Sequence, residues 1–374
     1  MKRTAFYLML TAASLCPTLA QKVKPFQHLD VSVNAGSTGI GIDLGTPIAE
    51  WMGVRAGFTY MPHFHHHMNF DVGLYDNNGI SKKEQQEKFN KLAERIEQIT
   101  GYKVDEHIGM IGEPVFNQFK FMMDFYPLRH NRHWHITAGF FLGKRRIAKA
   151  YNRMEDMTSL IGVNIYNNLY DKIIGGEPIT IGERSVYLNP KAVQQYGRMA
   201  VYMGDYTHDI TYGHDTYYAE DVICDANFTY LKPEAVGKDE TELTENDYYK
   251  VDEVMHHAGD VEHRAGEVIH KAGDPYMMTP DNNGMATAQM LVNNFRPYVG
   301  IGYDGRIIKG DDRYHIGFDA GIMMWGGTPS VITHDGTDLT HDVTNVPGKV
   351  GDYVSIVKKF KVYPVVSLRL TRRF

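Results

Sequence analysis

Cysteine is nearly absent from this chain of 374 residues, which has only Cys16 and Cys224. The first lies in a leader-like stretch, so the mature protein is expected to keep Cys224 alone, and no intramolecular disulfide can brace it. Long apolar runs are missing as well. Beyond the first twenty residues nothing approaches the roughly 20 consecutive apolar residues of a membrane helix. That leaves a soluble exported protein or one that crosses a membrane as strands. An excess of basic charge is also lacking: 39 Lys and Arg face 45 Asp and Glu, a formal charge of −6. This argues against nucleic acid as a partner. Nothing in the composition calls for a cofactor.

What is present begins with a positive pair, Lys2 and Arg3, an apolar stretch from Ala5 to Leu15, and the small-residue site Thr18-Leu19-Ala20 before Gln21. Residues 1–20 therefore read as a secretory signal peptide and 21–374 as the mature chain. Leu15 before Cys16, with Pro17 after it, argues against lipid attachment at that cysteine. At the other end, residues 362–374 alternate: Val362, Pro364, Val366, Leu368, Leu370 and Phe374 share one side, and Tyr363, Ser367, Arg369 and Thr371 the other. An apolar-out, polar-in strand ending on an aromatic residue suits a barrel inserted into an outer membrane.

The same alternation recurs seven more times. Residues 28–36 set Leu29, Val31 and Val33 against Asp30, Ser32 and Asn34, and 38–44 set Ile40, Ile42 and Leu44 against glycines and Asp43. Residues 52–60, 117–126, 134–143, 296–304 and 314–325 follow suit. Eight strands are predicted, an even number as an antiparallel barrel of this kind requires. The connections sort by length: 46–51, 127–133 and 305–313 are short, whereas 61–116, 144–294 and 326–359 are long, as periplasmic turns and outer loops should be. The fold class expected is all-β, an eight-stranded antiparallel up-and-down transmembrane barrel with long extracellular loops, with a soluble lipocalin-like barrel as the alternative.

A barrel of eight strands is just wide enough for side chains to fill. Asp30, Asp43, Asp124, Asp304 and Asp319 are placed inward with Arg55, Lys120, Arg296 and Arg369, which predicts a lumen plugged by ion pairs. Aromatics near strand ends, including Trp51, Tyr60, Phe125, Tyr126, Trp134, Phe295, Tyr314 and Trp325, are candidates for interfacial girdles.

The stretches 38–44, 54–60 and 295–303, together with the final strand, resemble the small outer-membrane β-barrel proteins of Bacteroidota. That resemblance covers about a third of the mature chain. It implies an outer-membrane location, lipid and lipopolysaccharide as surroundings, and the barrel-assembly machinery as a partner during insertion. It carries no catalytic residues.

The loops are read on their own. Residues 81–100 have Phe89, Leu92, Ile96 and Ile99 at helical spacing after a Ser81 to Glu84 capping box, and predict an amphipathic helix lying over the barrel rim. In the third loop, 178–182, 185–188 and 199–203 are strand-like. A heptapeptide, V-x-H-x-A-G-[DE], then repeats three times from Val254 to Asp274. Stacked units would bring together His256, His263 and His270 with Asp260, Glu267 and Asp274 as metal ligands; the ordinary reading is an exposed loop. A histidine tract, His63, His65, His66 and His67, offers a second metal candidate, with His65 and His67 on one face. Ser330 with His334, and Asp205 with His208, are the pairs that an outer-membrane enzyme such as a lipid A acylase or protease would draw on. No constellation singles them out. The function expected is therefore non-enzymatic: a plugged barrel whose surface loops bind a ligand or partner or serve envelope integrity. An outer-membrane enzyme and a small porin-like channel are the alternatives.

Overall fold

The computed structural model describes residues 25–75, 82–128, 132–175, 179–181, 184–186, 189–224, 230–235, 238 and 240–374. The expected signal peptide with Cys16, and the capping residue Ser81, lie outside the described residues.

Eight antiparallel strands close into a barrel: β1 (Asp30–Gly36), β2 (Gly39–Ala49), β3 (Met52–Tyr60), β4 (Gln118–Phe125), β5 (Trp134–Gly143), β6 (Phe295–Arg306), β7 (Tyr314–Met324) and β8 (Val362–Arg373). Each pairs with its neighbour in this order, and β8 closes on β1 with Val33 opposite Leu370. Leu29 and Phe374 extend the seam by exchanging backbone bonds of 3.1 and 2.8 Å. Closure leaves no unpaired edge in this sheet. The predicted alternation holds all round: Ile42 is 60 % and Leu368 59 % exposed, whereas Ser32, Asp43 and Thr137 are buried. Apolar side chains face out all round, the reverse of a soluble lipocalin-like barrel, while the inward positions are polar toward one mouth and largely apolar toward the other.

Three details of the strands differ from expectation. β2 runs on through Pro47, which stands opposite Gly53, so the turn shrinks to Glu50 and Trp51. Proline is tolerated there because its carbonyl, not its missing N–H, is used: it accepts from Phe26 N at 3.1 Å. Trp325 and Tyr126 are not girdle residues. Each continues the alternation inward, Trp325 stacking on Tyr363 and Tyr126 tilting against His135.

The long loops do not stay separate. They interleave into a second, eight-stranded sheet above one mouth of the barrel, in the order Pro275–Met278, Arg198–Tyr206, His66–Tyr75, His107–Pro114, Arg146–Asn152, Thr287–Leu291 and Ser330–Thr333, with Val343–Thr344 added on Arg198–Tyr206. Helix α1 (Lys82–Thr100) lies on this sheet rather than on the barrel rim. Its stripe Phe89, Leu92 and Ile96 shares a core with Val72, Leu74 and Ile108 of the sheet and with Leu160 and Val163 of a second helix, α2 (Met157–Ile174). The apolar stripe that needed cover finds it in its own domain. Where one loop helix was expected, a third, α3 (Gly348–Lys359), also contributes, through Val354. The strand-like runs of the third loop are present as the hairpin Ile179–Ile181 with Arg184–Val186 and as Arg198–Tyr206. None of the helices described is long and apolar enough to cross a membrane, which says nothing of the strands.

Candidate functional site

The lumen is filled in two tiers. Toward the mouth at the start of β1 and the end of β8, Arg55 bonds Asp124 (Nε to Oδ2, 2.5 Å) and Asp319 (3.1 Å), and Arg369 bonds Asp304 (2.7 Å) and Asp319 (3.2 Å). His135 Nε2 lies 3.1 Å from Asp319, and Lys120 pairs with Asp43 at 3.0 Å. Two glycines make room for this network. A Cβ on Gly57 would come within 2.1 Å of Asp43 Oδ1, and one on Gly302 within 2.2 Å of His135 Nε2. The expected ion pairs are therefore present for Asp43, Asp124, Asp304, Asp319, Arg55, Lys120 and Arg369. Asp30 is bound instead by Arg373, at 2.9 Å.

Arg296 departs from the expected pairing. It is fully buried at the other mouth, where it donates to the carbonyls of Asn293 (2.7 Å) and Lys144 (2.5 Å) and to Gln118 Oε1 (2.9 Å), and its guanidinium lies over Phe116. Carbonyl dipoles and a ring take the place of a carboxylate. Beneath it an apolar tier, Met122, Phe141, Tyr298, Met323 and Val365, fills the barrel. The sequence signal for this tier was the apolar residue at inward positions of β4, β5, β7 and β8, which the expectation of a purely ionic plug passed over.

The histidine candidates are dispersed. His63 contacts Glu113, His66 bonds the Tyr353 hydroxyl at 2.8 Å, and His65 and His67 are exposed. His256, His263 and His270 lie one repeat apart, and each is stacked face to face on a tyrosine: Tyr218 at 4.3 Å, Tyr212 at 4.3 Å and Tyr206 at 4.8 Å between centroids. Among the described residues no group of three or more His, Cys, Asp or Glu is placed to hold a metal ion. Of the candidate catalytic pairs, Ser330 bonds Asp338 while His334 lines a groove of the outer sheet, and Asp205 and His208 find separate partners. Asp205 accepts from Tyr202 and Asn345, while His208 lies near Thr207 and Asp342.

Those tyrosines expose a second repeat that the heptapeptide conceals. Residues 206–211, 212–217 and 218–223 each begin with Tyr and carry Asp at the fourth place. The six-residue units run antiparallel to the seven-residue units as a ribbon, with short paired segments at Ile210–Thr211, Thr216–Tyr217 and Val222–Cys224. The extra residue of each heptapeptide is absorbed in a tight turn. Gly259, Gly266 and Gly273 adopt φ of 89°, 83° and 89° there, a place that favours glycine. Asp209, Asp215 and Asp221 accept from the backbone N–H of Ala272, Ala265 and Ala258 and so hold the turns down. Asp260, Glu267 and Asp274, expected as metal ligands, instead accept from the backbone N–H of His257, Arg264 and Lys271 within their own turns.

The outer sheet carries a groove of about 290 Å³ between its strands Arg146–Asn152, Thr287–Leu291 and Ser330–Thr333, where Ala150, Ala288 and Ile332 alternate with Lys149, Tyr151 and Gln289. Next to it Glu113 accepts from Lys149 at 3.0 Å and from the Tyr151 hydroxyl at 3.4 Å. The hydrogen bond from Lys149 holds the Glu113 carboxyl below its ordinary value of 4.5, against the opposing effect of desolvation and with help from His63. The groove thus presents an aromatic face with amide and hydroxyl groups on an apolar floor, and its Lys149 is already met by Glu113.

No family model matches this chain, and no curated protein matches it. Among solved structures, CarO2 of Acinetobacter baumannii aligns at 10 % identity with a TM-score of 0.34, over 94 % of this chain and 100 % of that one. CarO of the same organism aligns at 8 % identity and a TM-score of 0.34, with the same coverage. A major outer membrane protein from Thermus thermophilus aligns at 12 % identity and a TM-score of 0.24, over 93 % of this chain and 98 % of that one. The likeness is distant and singles out no Bacteroidota family. The barrel stands on its strand register.

Proposed function

We propose that the protein is a non-enzymatic outer-membrane barrel, closed to conduction, that displays a folded domain outside the cell. The observation that carries this reading is the apolar outer face of all eight strands around an interior filled by ion pairs and an apolar tier. Exposing such a band to water would cost; facing lipid it is the favoured arrangement. The long loops all gather at one mouth, so the outer sheet and the ribbon project together. Their chemistry suits binding: the groove at Tyr151 and Gln289 fits a surface ligand that is part apolar and part polar. Lipid and lipopolysaccharide surround the barrel in this reading, and the barrel-assembly machinery inserts it after residues 1–20 are removed.

Limited proteolysis of intact cells tests it. Cleavage is expected within 206–275 and the other long loops, leaving a protected barrel fragment that ends at Phe374. Complete protection in intact cells, with cleavage only after the envelope is breached, would reverse the orientation and discard the display reading.

A further inference from the structure

The mouth of the barrel at the start of β1 and the end of β8 opens into a cavity of about 460 Å³, lined from β1 to β4 and β6 to β8 and by His133 just before β5. Its floor is the ion network described above, in which Arg55, Arg369 and His135 share Asp124, Asp304 and Asp319. Its rim is composed differently. Arg132, Arg306 and Arg373 stand there against only two carboxylates, Asp30 and Asp312, so guanidinium is in excess by one before any imidazole is counted.

The bonding shows where that excess lies. Arg373 is spent, bridging Asp30 (2.9 Å) and Asp312 (2.7 Å). Arg306 gives Asp312 its Nε alone, at 2.7 Å, and its terminal nitrogens make no hydrogen bond to a carboxylate among the described residues. Arg132 forms no ion pair among the described residues and is steadied by the Tyr126 ring, 5.6 Å from its guanidinium carbon. His28, His133 and His315 complete the rim. His133 and His315 are oriented by the carbonyls of Asp304 (2.5 Å) and Asp312 (3.0 Å). Two guanidinium forks with unspent donors, at the lip of a concave cavity whose own carboxylates are already bonded, match the planar, bidentate demand of an oxyanion. We propose that this mouth is a binding site for a small oxyanion carrying a phosphate or carboxylate group, with Arg132 and Arg306 as its principal contacts. This site rests on the barrel's register and side chains, and it would stand whichever way the barrel faces a membrane.

Isothermal titration of inorganic phosphate into the full mature chain, refolded in neutral detergent, is the test, with acetate titrated in parallel to separate a phosphate site from one for carboxylates. Saturable binding of either anion is expected. R132Q should weaken it about tenfold, the loss of one charge-assisted contact, and R132Q combined with R306Q should abolish it. K103Q, at an exposed ion pair with Asp105 outside both cavities, should leave it unchanged. Both rim arginines are exposed, so the variants should fold; heat-modifiable gel migration like that of the wild type checks this. No saturable heat with either anion, or equal affinity in the folded double variant, would overturn the proposal.

Discussion

Single residues decide whether the lumen holds. Asp319 is buried and receives bonds from Arg55 (3.1 Å), Arg369 (3.2 Å) and His135 (3.1 Å). Asp319→Ala removes the carboxylate that Arg55 and Arg369 share and leaves each with one partner, Asp124 or Asp304, a loss of charge-assisted hydrogen bonds that should cost about 1.5–3 kcal/mol. Urea unfolding in detergent should show that loss; a change below about 0.5 kcal/mol would mean the network is ornamental to stability. Outside the barrel, Asp335 offers a pH test. Burial pushes its carboxyl up, but bonds from Thr333 (2.6 Å), Tyr276 (2.8 Å) and the Thr337 N–H (3.0 Å) outweigh it and leave the pKa below the ordinary 3.8. A depressed folded value stabilises the fold above the unfolded pKa, and that stabilisation is lost as pH falls through the folded one. Hydrogen exchange at residues 330–344 should accelerate as pH drops below 3.8, after correction for the intrinsic rate. Asp335→Asn should flatten that dependence, and an identical profile in the variant would remove Asp335 as its source.

At the level of elements, legibility followed the range of the interactions. The barrel strands were readable because one face is apolar and the other polar at a period of two, a signal complete within each strand. The seam between β1 and β8 could be foreseen because closure leaves no other partner for either. The outer sheet was hidden because its strands come from three loops and are paired by contacts far apart in sequence, of which each strand alone carries no trace. The ribbon was half visible. The heptapeptide stands out by its Ala-Gly pair, but its partner keeps only Tyr and Asp in each unit and lies some fifty residues earlier in the middle pairing, Asp215 to Ala265. Once the two repeats are seen to interlock, a prediction follows. Residues 212–217 lie opposite 261–267, flanked by the bonds Tyr218 N to Asp260 O and Tyr212 N to Glu267 O, both 3.0 Å. Deleting both segments together should remove one cross-section and rejoin matching ends, with exchange protection of the remaining units retained. Deleting either alone should strip protection from the ribbon. Equal damage from the paired and single deletions would show that the units are not modular.

At the scale of the whole molecule, the proposed closure of the lumen rests on two different physical means placed in series, either of which should suffice. Ion pairs fill the mouth at the start of β1 and the end of β8, where an entering ion would have to displace bonded carboxylates and guanidiniums. The tier of Met122, Phe141, Tyr298, Met323 and Val365 follows, capped by Arg296, and offers a permeating ion a single hydroxyl, that of Tyr298, among apolar groups. An eight-stranded barrel has no spare width to bypass either. Planar-bilayer recording of the refolded wild type should therefore show no steady conductance. Arg55→Ala with Asp319→Ala should stay closed because the apolar tier remains, and Phe141→Ala with Tyr298→Ala and Met323→Ala should stay closed because the ionic tier remains. Only the combination, with Arg296→Ala to release the cap, is expected to pass current. Steady conductance in the wild type would sink the closed-lumen reading, and conductance in either single-tier variant would show that one tier alone does the sealing.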